Sequence, residues 1–388
     1  MPIPLSTVIS ILACFISLGA GAPTEGNVGV PASAAVEIRA QKPPTEDRLV
    51  ASTFAPHFYQ ALGDKPRNDF ITNFDFDGDW RGDNNWANAD DKRFPLKAYI
   101  YYSVTETVSH FFIHYAVFHP RDYKGGEVKG TILSELIRLG VERGGKYDPT
   151  GLAEETALAH ENDLEGCLVV VLKNGSDLTQ ARVVYVETLH HNTFSRYVVG
   201  DSSGFDRVKL EGQHPLLYIE PKGHGIKAFN FDRVEDKNFI LYEFAGVAED
   251  PEARELDSVI CKEPLSKPCP SFVSYDLVAI STTLWAKALD APNETYASSC
   301  DYGPFPMQLN QSGKATGKKF QAGKAGCAFV GRVGGQNMAR PPWAWFDRRE
   351  RERLPGRWFF DPAGAAKQNF RLGERFSTTY LRSPFWAN

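Results

Sequence analysis

The sequence lacks an excess of positive charge, and this absence argues against one large class of partners. Its 388 residues carry 43 Lys and Arg against 48 Asp and Glu, which gives a formal net charge of −5 at pH 7. A protein that binds nucleic acid normally presents a basic face to the phosphates. We therefore expect no nucleic-acid partner.

The sequence also lacks, beyond its N-terminus, any apolar run of transmembrane length. A shorter run, Val8 to Ala20, ends in small residues that offer a cleavage site after Ala22. No Lys or Arg precedes the run, Pro23 follows the cut, and a single membrane anchor is the alternative. We interpret residues 1–22 as a signal peptide and residues 23–46 as a flexible leader, so the mature protein is expected to be secreted, extracellular and without a transmembrane span.

Cysteine is scarce, and its distribution agrees with export. The last four cysteines can form two disulfides in an oxidising compartment, in any of three connectivities; they are Cys261, Cys269, Cys300 and Cys327. Cys167 lies within an apolar strand and is predicted to be a buried free thiol. Three Asn-x-Ser/Thr sequons would be glycosylated in a eukaryotic secretory pathway; they begin at Asn174, Asn293 and Asn310.

Internal repeats and helical periodicities of domain size are absent, whereas strand-length runs rich in aromatic and β-branched residues are frequent. Turn residues separate these runs, which is typical of an antiparallel sandwich. A glycine-rich insertion after residue 122 carries one helical stripe, Ile132 to Val141. We predict a mainly β protein: an antiparallel β-sandwich over residues 47–247 with a helical insertion, then an irregular, disulfide-tied C-terminal extension, residues 248–388, that packs on the sandwich.

Several segments have more than one interpretation. Asp75, Asp77 and Asp79 alternate as in a calcium loop, but Trp80 replaces the glycine of an EF-hand, and a turn-rich loop is the alternative. His110 and His114 are interpreted as core histidines, and Gly200 to Gly204 as a turn rather than a nucleophile elbow, because no helix pattern follows it. The tryptophan-rich segments 341–346 and 358–360 are expected to pack on the sandwich, with sugar stacking as the alternative.

The segment His160 to Gly166, HENDLEG, combines charged and apolar sequence in an unusual way. Asp163 and Glu165 are two residues apart on an extended chain, so both carboxylates leave the same face, and His160 lies just before them. The segment leads directly into the apolar strand 167–172. Burying these charges is costly unless they are compensated, and hard cations such as Ca²⁺ or Mg²⁺ prefer carboxylate oxygens. We therefore predict a divalent-cation site here.

Several motifs, in order, resemble those of the necrosis-inducing-like proteins, secreted microbial cytolysins that act on plants. YAVFHPRD (115–122) and HENDLEG resemble the FPKD and GHRHDWE motifs of that family, and VETLHH (186–191) resembles its Ser-x-His-Gly strand. HPLLYI (214–219), followed by KGHG (222–225), resembles the family's pairing of an HP-hydrophobic-Y segment with a Ser/Thr-His element. The same pairing also occurs in vacuolar-protein-sorting-associated domains. The resemblance covers roughly residues 69–230.

The resemblance implies a single β-sandwich that holds a divalent cation in an acidic pocket. By position, its ligands fall on Asp122, His160, Asp163 and Glu165, while His190, His224 and Asn162 would line the rim of the ligand site. Asn162 replaces the second His of the family motif, and Leu164 replaces its Trp. The stretch between Asp122 and His160 is also much longer than in the family. These departures put the target specificity in doubt, and plant-cell killing is not carried over.

Our leading hypothesis is a secreted monomer, an effector or cytolysin-like protein, whose cation site binds a polar head group of a glycan, a glycolipid or a cell surface. No catalytic residue is assigned. A metal-dependent hydrolase is the first alternative, in which the ion activates water and His190, His191 or His224 acts as the general base. A structural cell-wall or matrix protein that binds polymer through its aromatic tail is the second alternative.

Overall fold

A computed structural model describes a large part of the chain. The described residues are 45–122, 160–175, 177–200, 206–230, 238–262, 269, 271–305, 308–311, 314–315, 320–332, 339–349, 355–370 and 375–385. The predicted signal peptide, most of the predicted leader, the helical stripe at Ile132 to Val141 and residues 201–204 of the G-x-S-x-G segment lie outside them.

Strands are the main elements of the described chain. They are β1 (His57–Ala61), β2 (Tyr99–Thr107), β3 (His110–Asp122), β4 (His160–Leu172), β5 (Arg182–His190), β6 (Thr193–Val198), β7 (Asp206–Arg207), β8 (Leu210–Glu211), β9 (His214–Ile219), β10 (Ile226–Ala228), β11 (Asn238–Phe244), β12 (Ile260–Lys262), β13 (Val273–Ala279), β14 (Tyr296–Tyr302), β15 (Gln308–Gln311), β16 (Lys314–Ala315), β17 (Gly323–Phe329) and β18 (Thr379–Arg382). The predicted mainly β class is confirmed.

Helices in the described chain are few and short. The α-helices are α1 (Thr45–Thr53), α2 (Asn85–Asn88), α3 (Leu284–Ala288), α4 (Arg357–Phe360) and α5 (Pro362–Asn369). Single turns of 3₁₀-helix occur at Pro66–Asp69, Leu178–Gln180, Pro251–Ala253, Leu256–Ser258, Ile280–Thr282 and Pro342–Ala344. Among the residues described, no helix has both the length and the apolar character that a membrane span requires.

Sixteen of the described strands belong to one sheet. Its main path is β10-β9-β1-β11-β13-β2-β3-β4-β5-β6-β7, and β14 pairs with β17 separately. Most of the described neighbours are antiparallel, but five pairs are parallel: β1–β9, β11–β13, β13–β2, β6–β7 and β15–β18. β13 comes from the predicted C-terminal extension and lies inside the sheet, so the boundary predicted at residue 248 does not coincide with a sheet edge.

One hydrophobic cluster, the inner core, joins side chains from both halves of this sheet. It contains Phe58 of β1 and Ile240 of β11 together with Val169 of β4 and Val186 of β5. The sheet therefore curls, and its two halves enclose the inner core as the two layers of a sandwich would. β4 is buried on both faces, which explains its continuous apolar run, Cys167 to Leu172.

A second cluster, the outer core, is formed where the C-terminal region covers the opposite face of β2 to β6. Trp343, Trp345 and Trp358 are 0%, 3% and 5% exposed and pack with Leu168 and Val170. The predicted packing of the aromatic tail is confirmed. These tryptophans are buried, so the alternative in which they stack on sugars is not supported.

The cysteines and the core histidines agree with the sequence-based predictions. Cys261 is bonded to Cys269 and Cys300 to Cys327, while Cys167 is free and buried. The two disulfides correspond to one of the three possible connectivities, and they cross-link the C-terminal region. The core interpretation of the two β3 histidines is also confirmed: His110 is 5% exposed and His114 is 1% exposed.

Candidate functional site

The pairing of β3 with β4 brings the predicted site residues to one end of the curled sheet. Its antiparallel register places Asp122 opposite His160, and His119 opposite Asp163. Alternate residues of a strand share one face, and Cys167 and Val169 of β4 belong to the inner core. Asp163 and Glu165 precede them in the same alternation, so these carboxylates occupy the end of the inner face.

A buried Asp–His–Asp bridge lies at this end. His224 Nδ1 is 2.8 Å from Asp163 Oδ2, and His224 Nε2 is 3.2 Å from Asp69 Oδ1. Asp69 also accepts hydrogen bonds from the backbone N–H groups of Gly63 (2.8 Å) and Lys222 (2.7 Å). The three bridging side chains are 0–5% exposed. The bridge fastens the loop after β9 to β4 and to the segment before β2.

The bridge is an ionised cluster. Burial opposes a charge on His224, but the hydrogen bonds and negative charges of Asp163 and Asp69 outweigh it and raise the pKa of His224 to about 9. Burial likewise favours protonation of Asp163, yet the bond from His224 and the nearby imidazoles hold the pKa of Asp163 below its ordinary range. At neutral pH the cluster is therefore an imidazolium between two carboxylates.

His119 of β3 stacks on this imidazolium. The ring centroids of His119 and His224 are 3.6 Å apart, with an interplanar angle of 6°. His119 Nε2 lies 2.9 Å from Gln60 Oε1, while the Gln60 amide nitrogen donates to the carbonyls of Ala61 and Glu220. Burial, and then the charge of His224, lowers the pKa of His119 well below its ordinary value. His119 is therefore the neutral member of the stacked pair.

The four predicted cation ligands line this end of the sheet but do not converge on one point. His160 Nε2 is 3.6 Å from Asp122 Oδ2, whereas Asp163 bonds His224. Glu165 Oε1 accepts a hydrogen bond from the backbone N–H of His191 at 3.4 Å. The arrangement is a row of buried acids with histidine partners rather than a closed coordination shell.

A different group has converging ligand atoms. Within the part of the chain that the structure describes, one set of three or more His, Cys, Asp and Glu side chains has ligand atoms all within 4.8 Å of one another: His190, His191 and Glu220. His190 was predicted at the rim of the ligand site. Glu220 was not singled out from the sequence, although it directly follows the recognised HPLLYI motif.

Asn162 is part of the framework rather than of an open rim. Its backbone φ is 62°, a conformation that asparagine adopts more readily than most residues, and its side chain is fully buried. The amide nitrogen donates to the carbonyls of Gly82 and Val330, both at 2.7 Å. The amide oxygen accepts from Asn85 Nδ2 at 2.7 Å. Asn162 thus connects β4 to two loops.

Replacing Asn162 with alanine is expected to lower the free energy of unfolding by roughly 2–3 kcal/mol, because buried partners lose their hydrogen bonds and the positive φ becomes strained. Asn162→Gly loses the same bonds but tolerates the backbone angle. Urea unfolding should therefore rank wild type above glycine and glycine above alanine. An alanine variant as stable as wild type would contradict this role.

Glu161, the acid next to Asn162, also holds neighbouring loops in place. Glu161 accepts hydrogen bonds from the backbone N–H groups of Trp86 (2.6 Å) and Arg332 (2.8 Å).

In the loop before β2, Asp77 and Asp79 accept bonds from backbone N–H groups two residues further along, at 3.2 and 2.8 Å. Such bonds are typical of turn-forming aspartates, and they agree with the turn-rich interpretation of this loop.

The chain is similar, at low sequence identity, to several solved structures. No family model and no curated protein matches the chain. Solved structures that match include NLPPya in complex with mannosamine (16% identity, 50% of this chain, 73% of that chain, TM-score 0.26). Another is the non-toxic protein HaNLP3 (12% identity, 63% of this chain, 80% of that chain, TM-score 0.27). A third is Necrosis and Ethylene inducing Protein 2 from the causal agent of witches' broom disease of cocoa (12% identity, 63% of this chain, 77% of that chain, TM-score 0.25). At this level the likeness does not establish membership in a family.

Proposed function

We propose that the protein is a secreted module that binds the polar head group of a glycan or glycolipid through a divalent cation, Ca²⁺ or Mg²⁺, at the end of β3 and β4. The burial of the acids supports this most directly: Asp122, Asp163 and Glu165 are 1%, 5% and 7% exposed. Carboxylates at such depth are costly unless positive charge compensates them. The two disulfides agree with an oxidising, extracellular destination.

The local charge balance favours a cation. Four buried carboxylates lie in this region, and the pKa of His224 is raised because that imidazolium neutralises part of their charge. Asp69 is further stabilised by two backbone N–H groups. Asp163 is bonded to that imidazolium, and Asp122 Oδ2 lies 3.6 Å from His160 Nε2. A bound dication would lower the cost of burying these carboxylates.

The donor types fit a hard cation, and a bound ion would draw the side chains of this row together. Asp122, Asp163 and Glu165 would supply carboxylate oxygens, and His160 would bind the ion directly or through water. Asp163 uses Oδ2 for His224, which leaves Oδ1 for the ion. Ca²⁺ and Mg²⁺ take six or more oxygen ligands, so hydroxyl groups of a sugar would complete the coordination. The protein residues would position the ion, and the ion would select a polyhydroxylated ligand.

Calorimetric titration of the chelator-treated protein with Ca²⁺, Mg²⁺ and Mn²⁺ tests the cation site. We expect binding of at least one ion, and an affinity at least about tenfold lower in Asp122→Asn, which removes a ligand charge but keeps its shape. Asp79→Asn in the turn-rich loop is the matched control and should bind like wild type. Folded wild type that binds none of the three ions would refute the site.

A glycan and lipid array, run with and without EDTA, tests the ligand. We expect retention of glycans or glycolipids that EDTA abolishes, and mannosamine is a suitable soluble competitor because NLPPya was solved with it. Retention that is unaffected by EDTA would contradict a cation-mediated mechanism. Turnover of ester or phosphodiester substrates that Asp163→Asn loses would instead favour the hydrolase alternative.

A further inference from the structure

The tight turn between β5 and β6 brings two consecutive histidines together. His190 pairs with Thr193 as the last rung of the β5–β6 ladder, so His191 and Asn192 form a two-residue turn. Both turn residues have positive φ, 46° and 53°, as the favoured two-residue hairpins require. The rings of His190 and His191 consequently lie with their centroids 4.5 Å apart, at an interplanar angle of 61°.

Glu220, the residue directly after β9, is aimed at both rings. Its Oε2 lies 3.4 Å from Nε2 of His190 and 3.4 Å from Nε2 of His191. Its other oxygen, Oε1, accepts a hydrogen bond from Lys227 Nζ, which orients the carboxylate. Glu220 N–H donates to the carbonyl of Gly225 at 3.0 Å, closing the loop that carries it.

Gly225 allows this loop to lie against the histidine pair. A Cβ at position 225 would come within 2.6 Å of His190 Cδ2 and 3.0 Å of Glu220 Oε2. These distances are shorter than van der Waals contacts, so a larger residue would displace the ring or the carboxylate. The loop thereby fixes the imidazole of His190 relative to Glu220.

We propose that His190, His191 and Glu220 form a second metal site, for a first-row transition dication such as Zn²⁺. Two imidazole nitrogens and one carboxylate oxygen are a donor set that zinc takes in proteins, with the fourth tetrahedral position left for water or a ligand. Ligands about 2.1 Å from a tetrahedral ion are separated from one another by about 3.4 Å, which agrees with both distances to Glu220 Oε2.

The exposure of these side chains suits a metal site with an open coordination position. The three side chains are 19–24% exposed, so the open position would face solvent.

This site differs in chemistry from the proposed Ca²⁺ or Mg²⁺ site nearby. Imidazole donors suit zinc, copper and nickel, whereas hard cations bind through oxygen atoms. The two regions are linked by the hydrogen bond from the His191 backbone to Glu165. Asp122 is a proposed ligand of the calcium or magnesium site only, so a substitution of Asp122 should weaken that site and leave the zinc site unchanged.

Titration of chelator-treated, full-length protein with Zn²⁺ tests the proposal, and the visible spectrum after Co²⁺ loading reports the coordination geometry. We expect one Zn²⁺ per chain at this site and tetrahedral cobalt bands. His190→Gln, His191→Gln and Glu220→Gln should each weaken zinc binding by about 100-fold or more, since loss of second-sphere partners alone costs 10–100-fold. Circular dichroism confirms that each variant is folded.

His214→Gln is the matched control, because His214 is another partly exposed histidine that lies outside the group. It should bind zinc like wild type, as should Asp122→Asn, which separates this site from the proposed calcium or magnesium site. Folded wild type that does not bind zinc would overturn the proposal. Undiminished binding and unchanged cobalt bands in folded His190→Gln and His191→Gln would show an adventitious ion only and would overturn it equally.

Discussion

Replacing His224 with asparagine is expected to lower the free energy of unfolding by about 3–5 kcal/mol, the largest single effect among the substitutions considered. The change leaves Asp163 and Asp69 buried without the imidazolium between them, and removing one partner of a buried ion pair carries a cost of this size. Asparagine tolerates the positive φ of 50° at this position. The loss can therefore be attributed to charge rather than to backbone strain.

Urea unfolding measures this effect, and two further variants identify its cause. The double variant His224→Asn/Asp163→Asn removes one of the two buried carboxylate charges that His224→Asn leaves uncompensated. It should recover part of the lost stability. Arg93→Gln removes an ion pair with Asp91 in which the arginine is 81% exposed, and it should leave the unfolding midpoint unchanged. A loss below about 1 kcal/mol in His224→Asn would contradict an ionised bridge.

Acid should destabilise the protein through His114, by about 5 kcal/mol. Burial lowers the pKa of His114 from 6.5 to about 3, against the opposing effect of its bond to the Trp358 carbonyl. A lowered histidine pKa means that the folded state resists protonation. The contribution of this group is thus fully present above pH 6.5 and is lost as pH falls from 6.5 through 3, and 3.5 pH units correspond to about 5 kcal/mol.

The comparison of wild type with His114→Gln isolates this contribution from the carboxylates that protonate in the same range. Glutamine can still donate to the Trp358 carbonyl, which lies 3.1 Å from His114 Nε2, but it cannot take up a proton. The free energy of unfolding of the His114→Gln variant, measured with urea between pH 7 and pH 3, should fall less steeply than that of wild type. Parallel curves would show that His114 is not the responsible group.

The sequence predicted the strands well because most are buried on at least one face and contain β-branched and aromatic residues. It did not predict the parallel pairings of β1 and β13, since these depend on which distant strands meet. β13 was assigned to a C-terminal extension for the same reason: its seven residues look alike whether they lie at an edge or in the middle of a sheet.

For the candidate site, the HENDLEG pattern located the carboxylates on the inner face but not their partners. Asp69 and Glu220 lie far from HENDLEG in sequence, and no local pattern distinguishes them from solvent-exposed acids. Asn162, which replaces the second His of the family motif, was predicted at the rim of the ligand site. Its side chain is instead used by three hydrogen bonds to neighbouring loops, which only tertiary contacts could reveal.

The position of β1 has a consequence for folding during synthesis. β1 lies between β9 and β11, and Phe58 pairs with Tyr242, 184 residues further along the chain. At about 5–20 residues per second, roughly 10–40 s separate the synthesis of these partners. β1 cannot pair with β9 before residue 219 is made, nor with β11 before residue 242 is made, and until then its apolar side chains remain available to other chains. The nascent protein should therefore depend on chaperones more than a β-meander of equal length would.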